Sequence, residues 1–186
     1  KNYFHGAPAY SGIDIIGNYD NLTIRNNVFH VFPTSWRGAL SFSAGMSSGY
    51  GFSNNVKIHN NTFVSSPKYD GIIFFNKGTN AAPAPHFTNI DIRNNIFDFT
   101  YGDYTYSNLI TIGTDSGGIN PVVQLSTFNS DYNIYNLGTR PNSFAWGSSG
   151  QTSFANWKVL TGQDIHSSTA AVSFENLSSG NFHLNA

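Results

Sequence analysis

The chain contains no cysteine and carries little charge. Nine Lys and Arg residues nearly cancel ten Asp and Glu residues among 186, so the net charge is −1. Without cysteine there is no disulfide, no thiol nucleophile and no thiolate-bound metal. The balanced charge leaves no dense basic face, so neither nucleic acid nor an anionic membrane is expected as a partner. No apolar run approaches ~18 residues, so membrane insertion is not expected either.

Residues that favour helices are also scarce. Glu175 is the only glutamate, whereas Asn, Ser, Thr, Gly, Phe and Tyr are abundant. This composition is typical of strands and turns. Hydrophobic residues make up 39% of the chain and aromatic residues 16%, which is enough for a packed core. An all-β domain is therefore expected.

One nine-residue phrase occurs three times at a spacing of 34 residues, at 21–29, 55–63 and 89–97. Each copy reads Asn, apolar, variable, Ile, basic, Asn, Asn, variable, Phe. The alternation indicates a strand and the Asn pair indicates a turn. A fixed period that carries one such unit is typical of a solenoid. We therefore expect a parallel β-helix of about four to six coils with two or three strands in each.

The repeats also predict which side chains point inward. We expect stacked aliphatic columns and a stack of the three phenylalanines, formed by Leu22, Val56, Ile90, Ile24, Ile58, Ile92, Phe29, Phe63 and Phe97. The second Asn of each pair (Asn27, Asn61 and Asn95) is expected to adopt the left-handed conformation and to bond its neighbour in an asparagine ladder.

A second apolar run precedes or follows each phrase, at 12–16, 38–42, 71–75 and 108–112. These runs predict a second strand in each coil. Their register is open by one residue, and a slip would exchange the two faces. We prefer to align Ile13 with Leu40 and Ile15 with Phe42, because this leaves Asp14 outside rather than buried without a partner.

The two ends of the chain differ. Residues 1–186 are expected to form one domain, with repeat coils over 1–125 and a last coil and cap over 126–186. A short helix over 153–162 and terminal strands over 172–174 and 181–184 are expected to form the cap. Residues 1–11 show no cap, so we expect missing coils of a larger protein, or another subunit, to cover that end. The alternative is that these residues fold over it as a loop.

The repeats Asn-Leu-Thr-Ile-Arg-Asn-Asn-Val-Phe and Asn-Ile-Asp-Ile-Arg-Asn-Asn-Ile-Phe resemble those of right-handed parallel β-helix proteins of the pectate-lyase-like superfamily. The segments 130–135, 154–157, 162–167 and 180–184 resemble the tail of that group's secreted bacterial members. The resemblance implies a secreted protein that binds or processes polysaccharide as a lyase, glycoside hydrolase, epimerase or non-catalytic adhesin. One coil pattern serves many functions, so the resemblance is more specific for fold than for activity.

No cofactor is expected from the sequence. Pectate lyases use calcium through an Asp cluster and an Arg in a short motif, and that motif is absent here, so the sequence does not support calcium. Asp115 stands alone in a Gly-rich segment and is expected to be a turn residue.

The sharpest candidate site is an outward row formed by Arg25, His59 and Arg93. Stacked strands lie about 4.8 Å apart, so this row would bind the acidic groups of a glycan. The alternative is that neighbouring acids neutralise it, as the expected pairing of Lys57 with Asp91 illustrates.

The loops that follow each repeat supply further candidates. Sugar rings stack on aromatic side chains, and charged side chains bond hydroxyl or acid groups, so we expect binding by Trp36, Arg37, Tyr69 and Tyr104. Catalysis is assigned to Lys68, Asp70 and Asp103: a lyase needs a base such as Lys68, whereas a hydrolase needs two carboxylates. The alternative is that the loop tyrosines only cover the flank of the coils. The leading interpretation is an extracellular protein that binds or processes polysaccharide, and the rival is a non-catalytic cell-surface, adhesin or fibre-forming protein.

Overall fold

The computed structural model describes residues 2–6, 11–31, 38–44, 52–65, 71–78, 84–99 and 107–185. Within these ranges the chain is mostly β, with one short α-helix. Strands follow one another in sets of three, which we call triplets. The first triplet comprises β1 (Tyr3–Gly6), β2 (Ile13–Ile16) and β3 (Asp20–Arg25), and the second comprises β4 (Val28–Val31), β5 (Leu40–Ser43) and β6 (Ser53–His59).

Two more triplets and a C-terminal region complete the chain. The third triplet comprises β7 (Thr62–Ser65), β8 (Gly71–Asn76) and β9 (Phe87–Arg93), and the fourth comprises β10 (Ile96–Asp98), β11 (Asn108–Ile112) and β12 (Phe128–Asp131). The C-terminal region comprises β13 (Ile134–Asn136), β14 (Asn142–Trp146), β15 (Gln151–Ser153), α1 (Phe154–Thr161), β16 (Phe174–Asn176) and β17 (Asn181–Leu184).

The triplets build three parallel sheets that the chain visits in constant cyclic order. Sheet A has the order β1-β4-β7-β10-β13, sheet B has β2-β5-β8-β11-β14 with β15 at its edge, and sheet C has β3-β6-β9-β12. Within these sheets only the β14–β15 pair is antiparallel. Each strand therefore pairs with its counterpart in the next triplet, so the 34-residue period of the sequence becomes the spacing between neighbouring strands.

The predicted inward columns are confirmed in sheet C. Ile24 pairs with Ile58, which pairs with Ile92, and the last two are fully buried. Burial of one such side chain stabilises the fold by about 1.5–3 kcal/mol, so a column outweighs any exposed pair. Leu22 at the first triplet is only half-buried, which shows that the core thins toward that end.

The preferred register of sheet B is also confirmed. Ile13 pairs with Leu40 and Ile15 with Phe42, and Asp14 is exposed. The cost of burying an unpaired carboxylate was therefore sufficient to choose between the two registers.

The phenylalanine stack is confirmed and extends beyond the three repeats. Phe29, Phe63 and Phe97 lie face to face with ring centroids 5.0 Å apart. Phe4 continues the stack at one end, at 4.8 Å, and Tyr135 continues it at the other, at 5.1 Å. The first and fifth members come from segments that lack the full phrase.

The expected conformation of the Asn pair was wrong by one residue. The left-handed residue is the first Asn of each pair, with φ of 59° at Asn26, 56° at Asn60 and 55° at Asn94. These three are exposed, whereas the second Asn of each pair is buried. Either Asn tolerates the left-handed region, but a buried amide must be bonded, so the inner position goes to the residue that can bond its neighbours.

The buried Asn residues form a ladder that runs through all the triplets. Each rung accepts a bond from the backbone N–H of the preceding rung at 2.8–3.0 Å, and the rungs are Asn27, Asn61, Asn95, Asn133 and finally the hydroxyl of Ser167. Asn2 begins the series by donating to Asn27 at 3.0 Å. The predicted bonding from one repeat to the next is thus present, with Asn2 and Ser167 as unforeseen ends.

The C-terminal end is closed by α1 and the segment after it. Ser153 caps the helix by accepting from the N–H of Asn156, and Gly162 ends it with φ 68°, as predicted. Trp157 is fully buried and Thr161 nearly so, whereas Leu160 is largely exposed, so Thr161 completes the inner face. The residues before the helix include β14 and β15, and the apolar run from Phe144 to Trp146 is the sequence signal for β14.

The last hairpin departs from the expected cap. Strands β16 and β17 pair antiparallel, with β16 two residues later than predicted. They pack against the first triplet: Phe182 lies 5.2 Å from Tyr3 and 5.4 Å from His30 between ring centroids. The alternative that residues 1–11 fold over the N-terminal end as a loop is wrong for Tyr3–Gly6, because these residues form an ordinary strand of sheet A.

Candidate functional site

The loop residues singled out from the sequence lie outside the described ranges. These are Trp36, Arg37, Lys68, Tyr69, Asp70, Asp103 and Tyr104. Among the described residues, the candidate binding residues lie on the outer face of sheet C and in the turn that joins sheet C to sheet A.

Arg25, His59 and Arg93 form the in-register row that the repeats predict. Arg25 pairs with His59 across β3 and β6, and His59 pairs with Arg93 across β6 and β9. Adjacent parallel strands lie about 4.8 Å apart, so the three side chains stand on one face at neighbouring positions.

A single carboxylate offsets part of the charge of this row. Asp91 places one oxygen 3.1 Å from His59 Nε2 and the other 2.7 Å from Arg93 Nε. Neither contact has hydrogen-bond alignment, so the attraction is between charges, with His59 contributing when it is protonated. Lys57 lies beside Asp91 across β6 and β9 as expected, but the carboxylate contacts His59 and Arg93, and no ion pair between Lys57 and Asp91 is found in the described residues. Arg25 has no acidic partner among the described residues, so it is the member of the row that can still attract an anion.

On the next strand, β12, the position in register with Arg25, His59 and Arg93 is occupied by an acidic residue. Asp131 pairs with Arg93 across β12 and β9. Its carboxylate lies 2.7 Å from His166 Nδ1 and accepts from the N–H of His166 at 2.8 Å. Partial burial acts to raise the pKa of Asp131, but these bonds, a third from the N–H of Tyr132 and the charge of His166 together lower it. Asp131 therefore stays ionised and fixes the His166 ring.

The turn between sheets C and A presents a second row, which we call the turn ridge: Asn26, Asn60, Asn94 and Tyr132. All four residues are exposed and left-handed, and Tyr132 has φ 57°. The three Asn side chains have no hydrogen-bond partner within the described ranges. Their amides therefore offer donors and acceptors to a ligand at intervals of about 4.8 Å.

One end of the turn ridge opens into a pocket of about 780 Å³. Gly180 and the start of β17 form one wall, and β1 with the start of β4 and β7 forms the other. The lining residues are Asn2, Tyr3, Asn26, Asn27, Val28, Asn60, Thr62, Gly180, Asn181 and Phe182. No charged side chain is found in this lining within the described part of the chain.

The aromatic wall of the pocket is held by a buried histidine. The hydroxyl of Tyr3 lies 3.3 Å from His30 Nδ1, and Phe182 packs edge-on against the same ring. Burial lowers the pKa of His30, and the nearby His5 lowers it further. His30 is thus neutral at neutral pH, and the pocket keeps its uncharged character.

The pocket was not anticipated from the sequence, because its two walls come from opposite ends of the chain. Asn2, Tyr3 and Phe182 lie outside the repeated phrase, and no local pattern links them. The sequence did carry one signal for a binding surface, namely the presence of two Asn residues in each pair. Only one Asn of a pair can be buried in the ladder, so the amide of the other is exposed and can bond a ligand.

Other kinds of site find less support. Asp115 is a turn residue as expected, since its carboxylate accepts from the N–H groups of Gly117, Ile119 and Asn120. Within the described ranges, no cluster of three or more His, Cys, Asp or Glu side chains is placed to hold a metal ion. No described helix has the length and apolar character needed to cross a membrane.

Comparison of the chain with protein-family models, with curated proteins and with solved structures returns no match.

Proposed function

We propose that this chain is a right-handed parallel β-helix protein that binds polysaccharide outside the cell. The cyclic order of three parallel sheets, stacked in register by the asparagine ladder, supports the solenoid. The handedness follows from the general rule that crossovers between parallel strands are right-handed in about 98% of cases. Each triplet is then one coil, and the described residues form four coils and part of a fifth.

The observation that carries the binding proposal is the chemistry of the pocket. Its lining combines free amides at Asn26 and Asn60 with the aromatic rings of Tyr3 and Phe182. A sugar has hydroxyl groups around its edge and C–H groups on its faces. Amides bond the hydroxyls, and aromatic rings pack against the C–H faces. The absence of charge in the described lining favours a neutral sugar unit in this position.

The turn ridge supports a polymer rather than a single sugar. From Asn26 to Tyr132 the ridge crosses three strand spacings, or about 14 Å. An extended chain that enters the pocket would therefore meet Asn94 and then Tyr132. Arg25, next to Asn26 in sequence, is placed to meet an acidic unit, so the polysaccharide can be neutral or can carry occasional acid groups.

Binding is tested by calorimetric titration of short neutral and acidic saccharides against the intact chain. Phe182→Ala and Asn60→Gly are expected to weaken binding at least tenfold, because each removes one recognition element. Asn94→Gly is the matched control: it changes the same left-handed position outside the pocket, and glycine adopts that conformation freely. Equal affinity of all four proteins would contradict the pocket as the binding site.

The chemistry that follows binding is assigned to the loops. We propose Lys68 as the base of a lyase or, for a hydrolase, Asp70 and Asp103 as the carboxylate pair, with Trp36, Arg37, Tyr69 and Tyr104 holding the glycan. Release of unsaturated ends, followed by ultraviolet absorbance, identifies a lyase, and release of reducing sugar without them identifies a hydrolase. Lys68→Ala is expected to abolish the first activity and Asp70→Ala the second. Binding without either product would leave a carbohydrate-binding module.

A second candidate is a non-catalytic surface or fibre protein. It is favoured by the exposed first coil, where Phe4, Ile13, Ile15 and Leu22 are only half-buried. There β1, β2 and β3 form the edges of their sheets, and such edges pair readily with other strands. Sedimentation velocity over a range of concentrations tests this idea. Growing assemblies without turnover on any glycan would favour the fibre protein over the enzyme, and a stable monomer would exclude it.

A further inference from the structure

Tyr132 occupies a position where the other coils place asparagine. Its φ of 57° lies in the left-handed region, which bulky residues adopt at a cost and Asn adopts easily. The ring is 54% exposed, so burial in the core does not explain the choice. Strain of this kind, kept at an exposed position, points to a use for the side chain.

The ring of Tyr132 is held flat against a second ring. Its centroid lies 4.8 Å from that of His166, with the two planes only 6° apart. Asp131 fixes His166 through both its backbone N–H and its ring Nδ1. The result is an exposed aromatic surface whose orientation is set before any ligand arrives, which lowers the entropy lost on binding.

This surface lies on the same ridge as the pocket. Asn26 and Asn60 line the pocket, Asn94 follows, and Tyr132 is the next member, about 14 Å from Asn26 at three strand spacings. A straight polymer seated in the pocket would thus pass over the free amide of Asn94 before it reaches Tyr132.

We propose that Tyr132 and His166 form a second sugar-binding subsite, which stacks against one ring of a glycan whose other end occupies the pocket. The proposal rests on the proposed function, since it concerns a longer form of the same ligand. It predicts that the protein prefers chains long enough to span both places, because the second contact is then made within a complex already formed.

The test is a titration of the intact chain with one oligosaccharide series of increasing length, chosen from the glycan that binds best. For the parent protein, affinity is expected to rise by about tenfold once the chain spans the ridge, as one aromatic contact would give. Tyr132→Asn is expected to remove this rise and to leave the affinity for the shortest sugar unchanged. Tyr132→Phe keeps the ring and is expected to retain the rise.

Unfolding by urea separates this role from a structural one. Asn fits the left-handed position, so Tyr132→Asn is expected to unfold at the same denaturant concentration as the parent or at a higher one. A lower midpoint together with unchanged binding of long chains would show that Tyr132 only supports the turn and would overturn the subsite. An affinity independent of chain length in the parent would do the same while leaving the pocket intact. Failure of every sugar to bind would remove both proposals together.

Discussion

The two ends of this stack of strands are finished in different ways. At the C-terminal end, the fully buried Asp164 carboxylate accepts from Trp157 Nε1 at 2.8 Å, Tyr135 Oη at 3.0 Å and Ser167 Oγ at 2.6 Å. At the N-terminal end, the ladder stops at the exposed Asn2. Within the described residues, one end therefore satisfies its last polar groups internally, whereas the first ladder residue at the other end is exposed.

This difference shows where the stacked triplets need special residues. In the middle, each triplet is completed by its neighbours, so a repeated phrase is sufficient. At the C-terminal end, the last strands have a neighbour on one side only, and α1 with the buried carboxylate of Asp164 after it covers the other side. At the open end no replacement is found in the described ranges, so stability there should be lower and more sensitive to surroundings.

Loss of Asp164 should cause the largest effect. Asp164→Ala removes the buried acceptor that Trp157, Tyr135 and Ser167 share, so we expect a loss of about 3–5 kcal/mol in the free energy of unfolding. Asp164→Asn keeps one carbonyl oxygen but places an NH₂ group among donors, so its loss should be smaller. Urea unfolding measures both. A loss below about 1 kcal/mol for Asp164→Ala would mean that the buried carboxylate does not secure this end.

Truncation of a ladder residue should cost more stability in the middle of the stack than at its N-terminal end. Asn61→Ala removes the acceptor of the Asn27 N–H and the donor to the carbonyl of Ile24, both buried. We expect a loss of about 2–3 kcal/mol. Asn2→Ala removes an exposed rung, and we expect less than about 0.5 kcal/mol. Similar losses for the two variants in urea unfolding would show that the ladder is equally ordered at both positions.

The two ends should also respond to acid in different pH ranges. The pKa of His30 is lowered in the folded state, so its neutral form is favoured, and stability falls as the pH drops below the unfolded value of about 6.5. The pKa of Asp131 is also lowered, so the contribution of this carboxylate is present above its unfolded value of about 3.9 and is lost as the pH falls below it.

Hydrogen exchange at pH 7 and pH 5, corrected for intrinsic rates, should therefore show loosening of β1 and β17 before β12 changes. His30→Gln carries no titrating ring and should show no such difference between the two pH values. Loosening of β12 at pH 5, with β1 and β17 unchanged, would reverse the predicted order.

The smallest effect is expected from an exchange at the turn ridge. Tyr132→Asn removes left-handed strain of about 1–2 kcal/mol but loses an exposed stacking contact of about 0.5–1.5 kcal/mol, so stability should match or slightly exceed that of the parent. Asn94→Tyr introduces the strain without a prepared partner and should lose about 1 kcal/mol. Urea unfolding of the pair measures whether the ridge position prefers Asn in every coil.

The repeated part of the fold could be predicted because its causes are local and periodic. Ile24, Ile58 and Ile92 could be placed inward from alternation alone, and their equal spacing made them neighbours. The exposed side of Asp14 followed from the cost of burying an isolated carboxylate. These inferences needed no knowledge of distant segments.

The parts that escaped prediction depend on contacts between segments that do not repeat. Asn133 lies 38 residues after Asn95 instead of 34, because an insertion lengthens that interval, whereas Ser167 keeps the 34-residue spacing but is not an asparagine. Either Asn of a pair can turn the chain, and only burial in the finished stack decides which one does. The position of Phe182 beside Tyr3 is set by the path of the whole tail, for which the sequence carries no period.

That path has a consequence for how the molecule responds to its ligand. The first and last strands of the chain meet at Tyr3 and Phe182, so the pocket exists only while both are in place. A sugar bound there would contact both strands at once, so its binding free energy would stabilise the first triplet, where we expect stability to be lowest. Saturation with glycan would then protect the two chain termini from proteases together.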